Sequence, residues 1–482
     1  MVFKRMKAVL LVLVCFVLSM SLLAGCGQTI QTVDGRTVTI EKPKYVFYLI
    51  GDGLGASQRQ IAEYYLQHMM GDNNATLTMN DMAVAGINTT YALDTLVTDS
   101  AAAGTALACG VKTNNGMIAQ TADGKDVKTL VEAVEELGYA TGVVTSTRIT
   151  HATPAVFYAH NADRDDENGI ATDLVNSGVD FIAGGGYRNF LPNTDESSKR
   201  EDDKDLIADM SALGYKTFIG EDGAADLASY APAAGDQVLA LFSKSHMPYE
   251  VDRANSDTKL ESLSDITQKG VDLLSKNKDG FFLMVEGGRI DHACHPNDVV
   301  ATIYDTLEFD EVVKVAMDFY NAHPKETLVV VVGDHETGGL GLGFANDYFL
   351  NLDAIDGITA SFEDVYGNVY EAGGDRNAYY DYLATVGIKD FTDEEKALIE
   401  AGMDAVDAGA DTADYGSYNP AGIAVDHIVS QRAGVQWTTY AHTGTQIPFS
   451  VMGLTEEAFG GFMDNTEIAQ MVAKVLGATI GA

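Results

Sequence analysis

Positive charge is scarce in this sequence for its size. Its 482 residues include 31 Lys or Arg against 70 Asp or Glu, a formal charge of −39 at pH 7. A chain this acidic has no basic footprint for a phosphate backbone, which argues against nucleic acid as a partner. It also repels small anions at long range, so any anion site must be made positive locally by bound cations, an arginine or a helix N-terminus. Cysteine is scarce, with four in the whole chain, two of them within the first 26 residues, so the body holds no disulfide framework. Fixed-period repeats and low-complexity linkers are absent, which leaves no solenoid and no string of tethered modules. Apolar runs of membrane length are missing after the first 25 residues.

Those first residues do carry such a run. Lys4, Arg5 and Lys7 precede an apolar and small stretch from Ala8 to Gly25, the pattern of a secretory signal over 1–25. It closes Leu22-Leu23-Ala24-Gly25-Cys26, which resembles a bacterial lipobox. Cleavage there would leave Cys26 at the mature N-terminus for lipid attachment, with 26–44 as a tether. The expected location is the cell surface or periplasm, lipid-anchored to a bacterial membrane. An uncleaved anchor is the alternative, but small residues before a Cys suit a cleavage site better than a buried span. Cys15 would be removed and Cys26 modified, so Cys109 and Cys294 remain in the body as small buried hydrophobes.

The body, 45–482, alternates short β-branched or aromatic runs with longer helical patterns. Strands are expected at 45–50, 140–145, 179–183, 238–242, 281–286 and 327–332, and helices at 129–137, 264–276 and 298–319. This alternation predicts an α/β fold: a three-layer sandwich whose large central, mostly parallel sheet is flanked by helices. Ligands then belong at the carboxyl ends of strands. Residues 341–440 break the rhythm, with few strand signals and one clear helix start at Thr392-x-x-Glu395. They read as an insertion forming a rim or lid.

Four polar motifs fall where strands end: Gly51-Asp52-Gly53, His151-Ala152-Thr153-Pro154, Glu286-Gly287-Gly288 and Gly333-Asp334-His335. Gly51-Asp52-Gly53 presents a carboxylate on a sharp turn, although Asp-Gly turns are more often structural. Asp99-Ser100-Ala101-Ala102 opens an Ala-rich segment, where either Asp99 or Ser100 reads first as a helix cap. The run from Glu286 to His295 packs Glu286, Asp291, His292 and His295 around two glycines, a donor set suited to Zn²⁺ or Mg²⁺. Asp291 and His295 are spaced for one helix face, but Pro296 disfavours helical backbone at His295, so an irregular turn is expected. Asp334-His335 follows the apolar run Val330-Val331-Val332, and can share one ion only where the chain leaves the sheet.

Together with Gly110 to Gly116, His151-Ala152-Thr153-Pro154 and His442-Thr443-Gly444, these pieces occur in an order that resembles the alkaline phosphatase family from about residue 45 to 455. The resemblance implies hydrolysis of small phosphomonoesters through a phosphoserine at Ser100. It also implies two Zn²⁺, one at Asp291, His295 and His442 and one at Asp52, Asp334 and His335. A third ion, Mg²⁺, would take Asp52, Thr153 and Glu286, and Arg164 would clamp the phosphoryl oxygens. His151 and His292 stand beside the third site where the enterobacterial pattern has Asp and Lys, a change that could turn its preference to Zn²⁺ or Co²⁺. Members are often homodimers, and the inserted region could make or block such an interface. A phosphodiesterase or sulfatase of the same superfamily is the main rival, although no Cys-x-Pro-x-Arg signature is present. A phosphate-binding lipoprotein would not need so complete a metal set.

Overall fold

The computed structural model describes residues 28–31, 35–346 and 348–481, so the signal segment and Cys26 lie outside the described residues. Ten strands form the main sheet: β1 (Tyr45–Gly51), β2 (Val84–Asn88), β3 (Ala140–Arg148), β4 (Phe181–Gly185), β5 (Lys216–Ile219), β6 (Val238–Leu241), β7 (Phe281–Gly287), β8 (Thr327–Gly333), β9 (Ile447–Gly453) and β10 (Gly461–Met463). Their order is β10-β2-β9-β8-β1-β7-β3-β4-β6-β5. From β8 to β5 every neighbouring pair is parallel, whereas β9 runs antiparallel to both β8 and β2. All six expected strands are present. The four that the sequence pattern does not mark, β2, β5, β9 and β10, lie at or towards the sheet's two edges, and β2, β5 and β10 are short and partly exposed.

Side-chain alternation shows why the central strands read as unbroken apolar runs. Tyr45, Phe47 and Leu49 of β1 enter one apolar cluster and Val46, Tyr48 and Ile50 the other; Val329 and Val331 of β8 likewise oppose Leu328, Val330 and Val332. Both faces are covered, so neither parity of the strand can be polar. Helices Ala56–Met70, Leu263–Leu274 and Val299–Ala322 pack on the first face, and Ser100–Cys109, Leu130–Glu135 and Asn465–Leu476 on the second. Each fully buried Leu, Ile or Val contributes about 1.5–3 kcal/mol relative to exposure. The layers are therefore held by the same residues that gave the strand signal.

Within 341–440 the chain forms a π-helical turn (Phe362–Tyr366) and the helices Arg376–Thr385, Asp393–Asp407 and Pro420–Ala433. Thr392 and Glu395 make the reciprocal capping pair expected of them. Phe362, Leu383, Ile399 and Val425 join the same apolar cluster as Ile303 and Phe309 of helix Val299–Ala322, so this region shares the core of the first face. Cys109 and Cys294 are both buried and unpaired. No helix among the described residues is long and apolar enough to cross a membrane.

Candidate metal centre and active site

Sheet register assembles the site. Gly51 of β1 pairs with Gly287 of β7 and with Gly333 of β8, so three strands end level. Asp52 and Asp334 are each the next residue past that line, and Glu286 is the last side chain before it. His335 follows Asp334 directly. Gly53 turns the chain at φ 71°, and its N–H donates to Asp334 Oδ1 at 3.1 Å. A side chain there would need a strained backbone, and its Cβ would come within 2.8 Å of the Asp291 backbone.

Asp291 and His295 come from helix Arg289–Cys294 and its C-cap, which corrects the expected irregular turn. His295 keeps helical angles, φ −59° and ψ −51°, despite the proline that follows. Its Nδ1–H donates to the carbonyl of Tyr440 at 2.7 Å, and this long-range contact outweighs the steric bias of a pre-proline residue. The i,i+4 spacing then does put both side chains on one face.

Three groups of potential ligand atoms result: Asp291, His295 and His442; Asp52, Asp334 and His335; and Asp52, His151 and Glu286. His295 Nε2 lies 3.3 Å from Asp291 Oδ2, and His442 Nε2 lies 3.5 Å from Asp291 Oδ1. His442 also donates Nδ1–H to a backbone carbonyl, that of Thr98, at 2.8 Å. With both Nδ1 protons so engaged, the Nε2 lone pairs are free for an ion. The ring of His335 stacks on that of His442 at 3.6 Å, and its Nε2 is 3.3 Å from Asp52 Oδ1 and 3.4 Å from Asp334 Oδ2.

In the third group His151 Nδ1 stands 3.7 Å from Glu286 Oε1 and 3.9 Å from Asp52 Oδ2. Thr153 donates to Asp52 Oδ2 at 3.2 Å, while Thr145 and Thr147 hydrogen-bond Glu286 Oε2. The structure thus draws His151, read from sequence as a neighbour of the ligands, to ligand distance beside Thr153.

Electrostatics test whether cations fit. Asp52, Glu286, Asp291 and Asp334 are all nearly inaccessible to solvent. Burial, and after it the charges of Asp334, Asp291 and Glu286, push the Asp52 carboxyl well above the usual range; burial and Asp291 do the same to Asp334. So many carboxylates cannot ionise together without positive charge among them. Asp52 Oδ1, Asp334 Oδ2, Glu286 Oε1 and His151 Nδ1 are moreover buried with no hydrogen-bond partner, and all four belong to these groups. Unpaired buried oxygens of this kind are costly unless an ion takes them. The residues fit hard or borderline divalent cations.

Ser100 begins helix Ser100–Cys109, whose N-cap is Asp99, with Oδ1 accepting from Ala102 N at 2.9 Å. Local sequence could not choose which of the two was the cap. With Asp99 in that role, Ser100 is left to face the site, its Oγ 3.3 Å from His335 Nε2. Arg164 reaches across to the same place: Nη1 donates to Asp99 Oδ2 and Nη2 to His151 Nε2, each at 3.1 Å. Gly116 of the Gly110 to Gly116 motif closes the arrangement by donating to Asp99 Oδ2 at 2.9 Å.

His292 lies beside His151, ring centroids 5.3 Å apart. Sequence reasoning missed His246, whose ring is 4.3 Å from that of His292, and Arg148, which hydrogen-bonds His246. A usable signal existed, since His246 follows the carboxyl end of β6, on the rim where the other motifs gather. Thr337, which donates to Asp291 Oδ1, had no local mark.

The family model described as Alkaline phosphatase matches residues 43–478. Alkaline phosphatase 3 of Bacillus subtilis is 34% identical over 469 residues, covering 95% of this chain and 94% of its own. The solved alkaline phosphatase of Thermus thermophilus superposes with a TM-score of 0.80 at 30% identity, covering 93% of each chain. A variant of the alkaline phosphatase of the Antarctic bacterium TAB5, with Mg bound in the site called M3, gives a TM-score of 0.63 at 27% identity, covering 91% of this chain and 99% of the other.

Proposed function

Since the chain belongs to the alkaline phosphatase family, a metal-dependent family, and hydrolyses phosphate monoesters, we propose that it does so through a phosphoserine at Ser100. The observation that carries this reading is the position of Ser100: a buried hydroxyl at the N-terminus of a capped helix, against the group Asp52, Asp334 and His335. The histidine it touches, His335, turns the same Nε2 to Asp52 and Asp334 of that group, so the hydroxyl stands where an ion held there would be.

Two Zn²⁺, at Asp291, His295 and His442 and at Asp52, Asp334 and His335, with one Mg²⁺ at Asp52, Glu286 and Thr153, would supply Lewis acidity and the positive field that the chain lacks. The proximity of His151 to the third group supports Zn²⁺ or Co²⁺ there as the second choice. Ser100 Oγ, deprotonated, attacks phosphorus; the bond to Oγ forms as the bond to the substrate alcohol breaks, and the alcohol leaves with a proton from water. The helix N-terminus favours the anion that Ser100 then carries. Arg164 offers two parallel N–H donors to two phosphoryl oxygens, a bidentate match. Water then attacks phosphorus, breaking the bond to Oγ and releasing inorganic phosphate.

Ser100→Ala in protein reconstituted with Zn²⁺ and Mg²⁺ tests this. It should lose aryl phosphate hydrolysis and yield no acid-stable phosphoprotein after quenching, whereas unchanged turnover sinks the reading. The expected processing before Cys26 supports a lipid tether to a bacterial membrane; Cys26→Ser should release the protein in soluble form. A homodimer is part of the same proposal, and sedimentation would weigh it directly.

A further inference from the structure

Arg289 is the largest fully buried side chain among the described residues, and it carries a permanent charge. Such a guanidinium needs its charge matched, and here both Nη nitrogens are engaged while Nε has no hydrogen-bond partner. Its Cζ lies 3.5 Å from the centroid of the Tyr249 ring, Nη2 donates to Asp364 Oδ2 at 2.7 Å, and Nη1 reaches Glu363 Oε2 at 3.4 Å. Tyr249 in turn donates to the same Glu363 oxygen at 2.6 Å. Both acids come from the π-helical turn of the 341–440 region, and both stay about 40% exposed, at 40% and 42%.

That turn is fixed to the body. Ser361 donates through its backbone and its hydroxyl to Asp252, at 2.8 and 2.6 Å, and Phe362 N donates to Asp298 Oδ2 at 2.8 Å. π-helical turns of this kind are rare and gather at functional sites. Here it brings two carboxylates to one guanidinium.

The other side of Arg289 faces His292, with Nη1 3.0 Å from His292 Nδ1. Arginine can only donate, so Nδ1 must be the accepting nitrogen, and a neutral imidazole then carries its proton on Nε2. The ring so defined stands edge-on to His151, at 83° and 5.3 Å between centroids, beside the third group of ligands.

We propose that Glu363 and Asp364 are positioning residues for the phosphatase reaction. They hold Arg289, Arg289 fixes His292 as the Nε2–H tautomer, and His292 thereby offers a hydrogen-bond donor to an anionic phosphoryl oxygen. The rim region is in this way part of the site's construction rather than a cover over it. The inference rests on the reading that this site receives the phosphoryl group.

The test uses the full protein reconstituted with Zn²⁺ and Mg²⁺, with inorganic phosphate as the probe. The Glu363→Gln/Asp364→Asn double variant should bind phosphate about tenfold more weakly, the scale of one lost hydrogen bond to a charged group. Its melting temperature should fall, because the buried Arg289 charge loses both carboxylates, so binding is measured well below the transition. The ¹⁵N shifts of His292 should move from one tautomer towards a mixture, and Asp364→Glu should restore both readouts. In a His292→Ala background the double change should add nothing. Unchanged phosphate affinity, or an equal loss with and without His292, overturns the proposal. Asp364→Asn alone serves as the same test if the double variant is poorly folded. Should Ser100→Ala keep full activity, the functional reading fails instead, while the tautomer of His292 can still be read.

Discussion

Arg164 donates from Nη2 to His151 Nε2 across 3.1 Å, while the opposite nitrogen of the same ring faces Glu286 and Asp52. The phosphate clamp and the third group of ligands therefore share one imidazole. An ion taken by Nδ1 requires the proton on Nε2, and two donors cannot share a hydrogen bond. Filling the third group through His151 and holding Arg164 in its present place exclude each other.

His151→Asp removes that conflict and offers a hard oxygen instead of a nitrogen. The variant is expected to retain Mg²⁺ in preference to Zn²⁺ or Co²⁺ when all three are supplied together. Emission spectrometry after gel filtration measures the ratio. Identical metal content in the two proteins would show that His151 does not select the ion.

Chelation should do more than abolish activity. Asp52, Glu286, Asp291 and Asp334 are buried close together, and without cations their mutual repulsion opposes folding. Calorimetry should find a lower melting temperature after dialysis against a chelator, restored by Zn²⁺ and Mg²⁺ and rising with the logarithm of their free concentration. An unchanged transition would mean that these carboxylates are neutralised some other way.

Gly53→Ala should loosen the centre from a distance. The residue sits at φ 71°, and a Cβ there lies 3.0 Å from the Thr337 hydroxyl that holds Asp291. Strain of about 1–3 kcal/mol is expected, with weaker retention of the ion at Asp291. Zn²⁺ titration into chelator-treated protein checks it; wild-type affinity with wild-type stability would contradict the account.

Away from the centre, His160 and Glu132 make a titratable pair. His160 Nε2 is 3.0 Å from Glu132 Oε1, and Nδ1 is 2.9 Å from the carbonyl of Ala119. Burial alone would lower the imidazole, but the bonds to Glu132 and Ala119 raise it to about 9. Burial likewise opposes ionised Glu132, yet its bond to His160 leads the contacts that hold it below 4.5. A raised folded value stabilises fully below the ordinary 6.5 and is lost as pH climbs through 9. The depressed Glu132 adds stability above 4.5 that fades in acid. His160→Gln should therefore cost most between pH 4.5 and 6.5 and nothing well above 9. The pair is partly exposed, so the difference should be about 1 kcal/mol or less. Melting curves across pH decide, and a deficit that grows with alkalinity would reverse the assignment.

Much of the centre was legible because its parts are local. Asp52, Glu286 and Asp334 each follow an apolar run that could only be a buried strand, and the change from apolar to charged marks a strand end without any fold in hand. Asp99 and Ser100 show where locality runs out: both are good caps, and only the hydrogen bond from Ala102 to Asp99 separates them. At His295 local sterics pointed the wrong way, because the carbonyl of Tyr440 that stabilises its helical backbone is distant in sequence.

By itself the sequence determined the layered α/β fold, the strand ends that bear carboxylates and the order of motifs that places the chain in its family. These follow from hydrophobic period and turn chemistry, which act over a few residues. Tertiary structure alone decided that Gly51, Gly287 and Gly333 end level, that His151 meets Glu286, and that Glu363 and Asp364 reach Arg289. Those relations depend on strand register and on the path of a distant segment. The charge deficit takes its meaning from the same step: in an acidic chain, carboxylates from separate strands become a cation site only when the sheet sets them side by side.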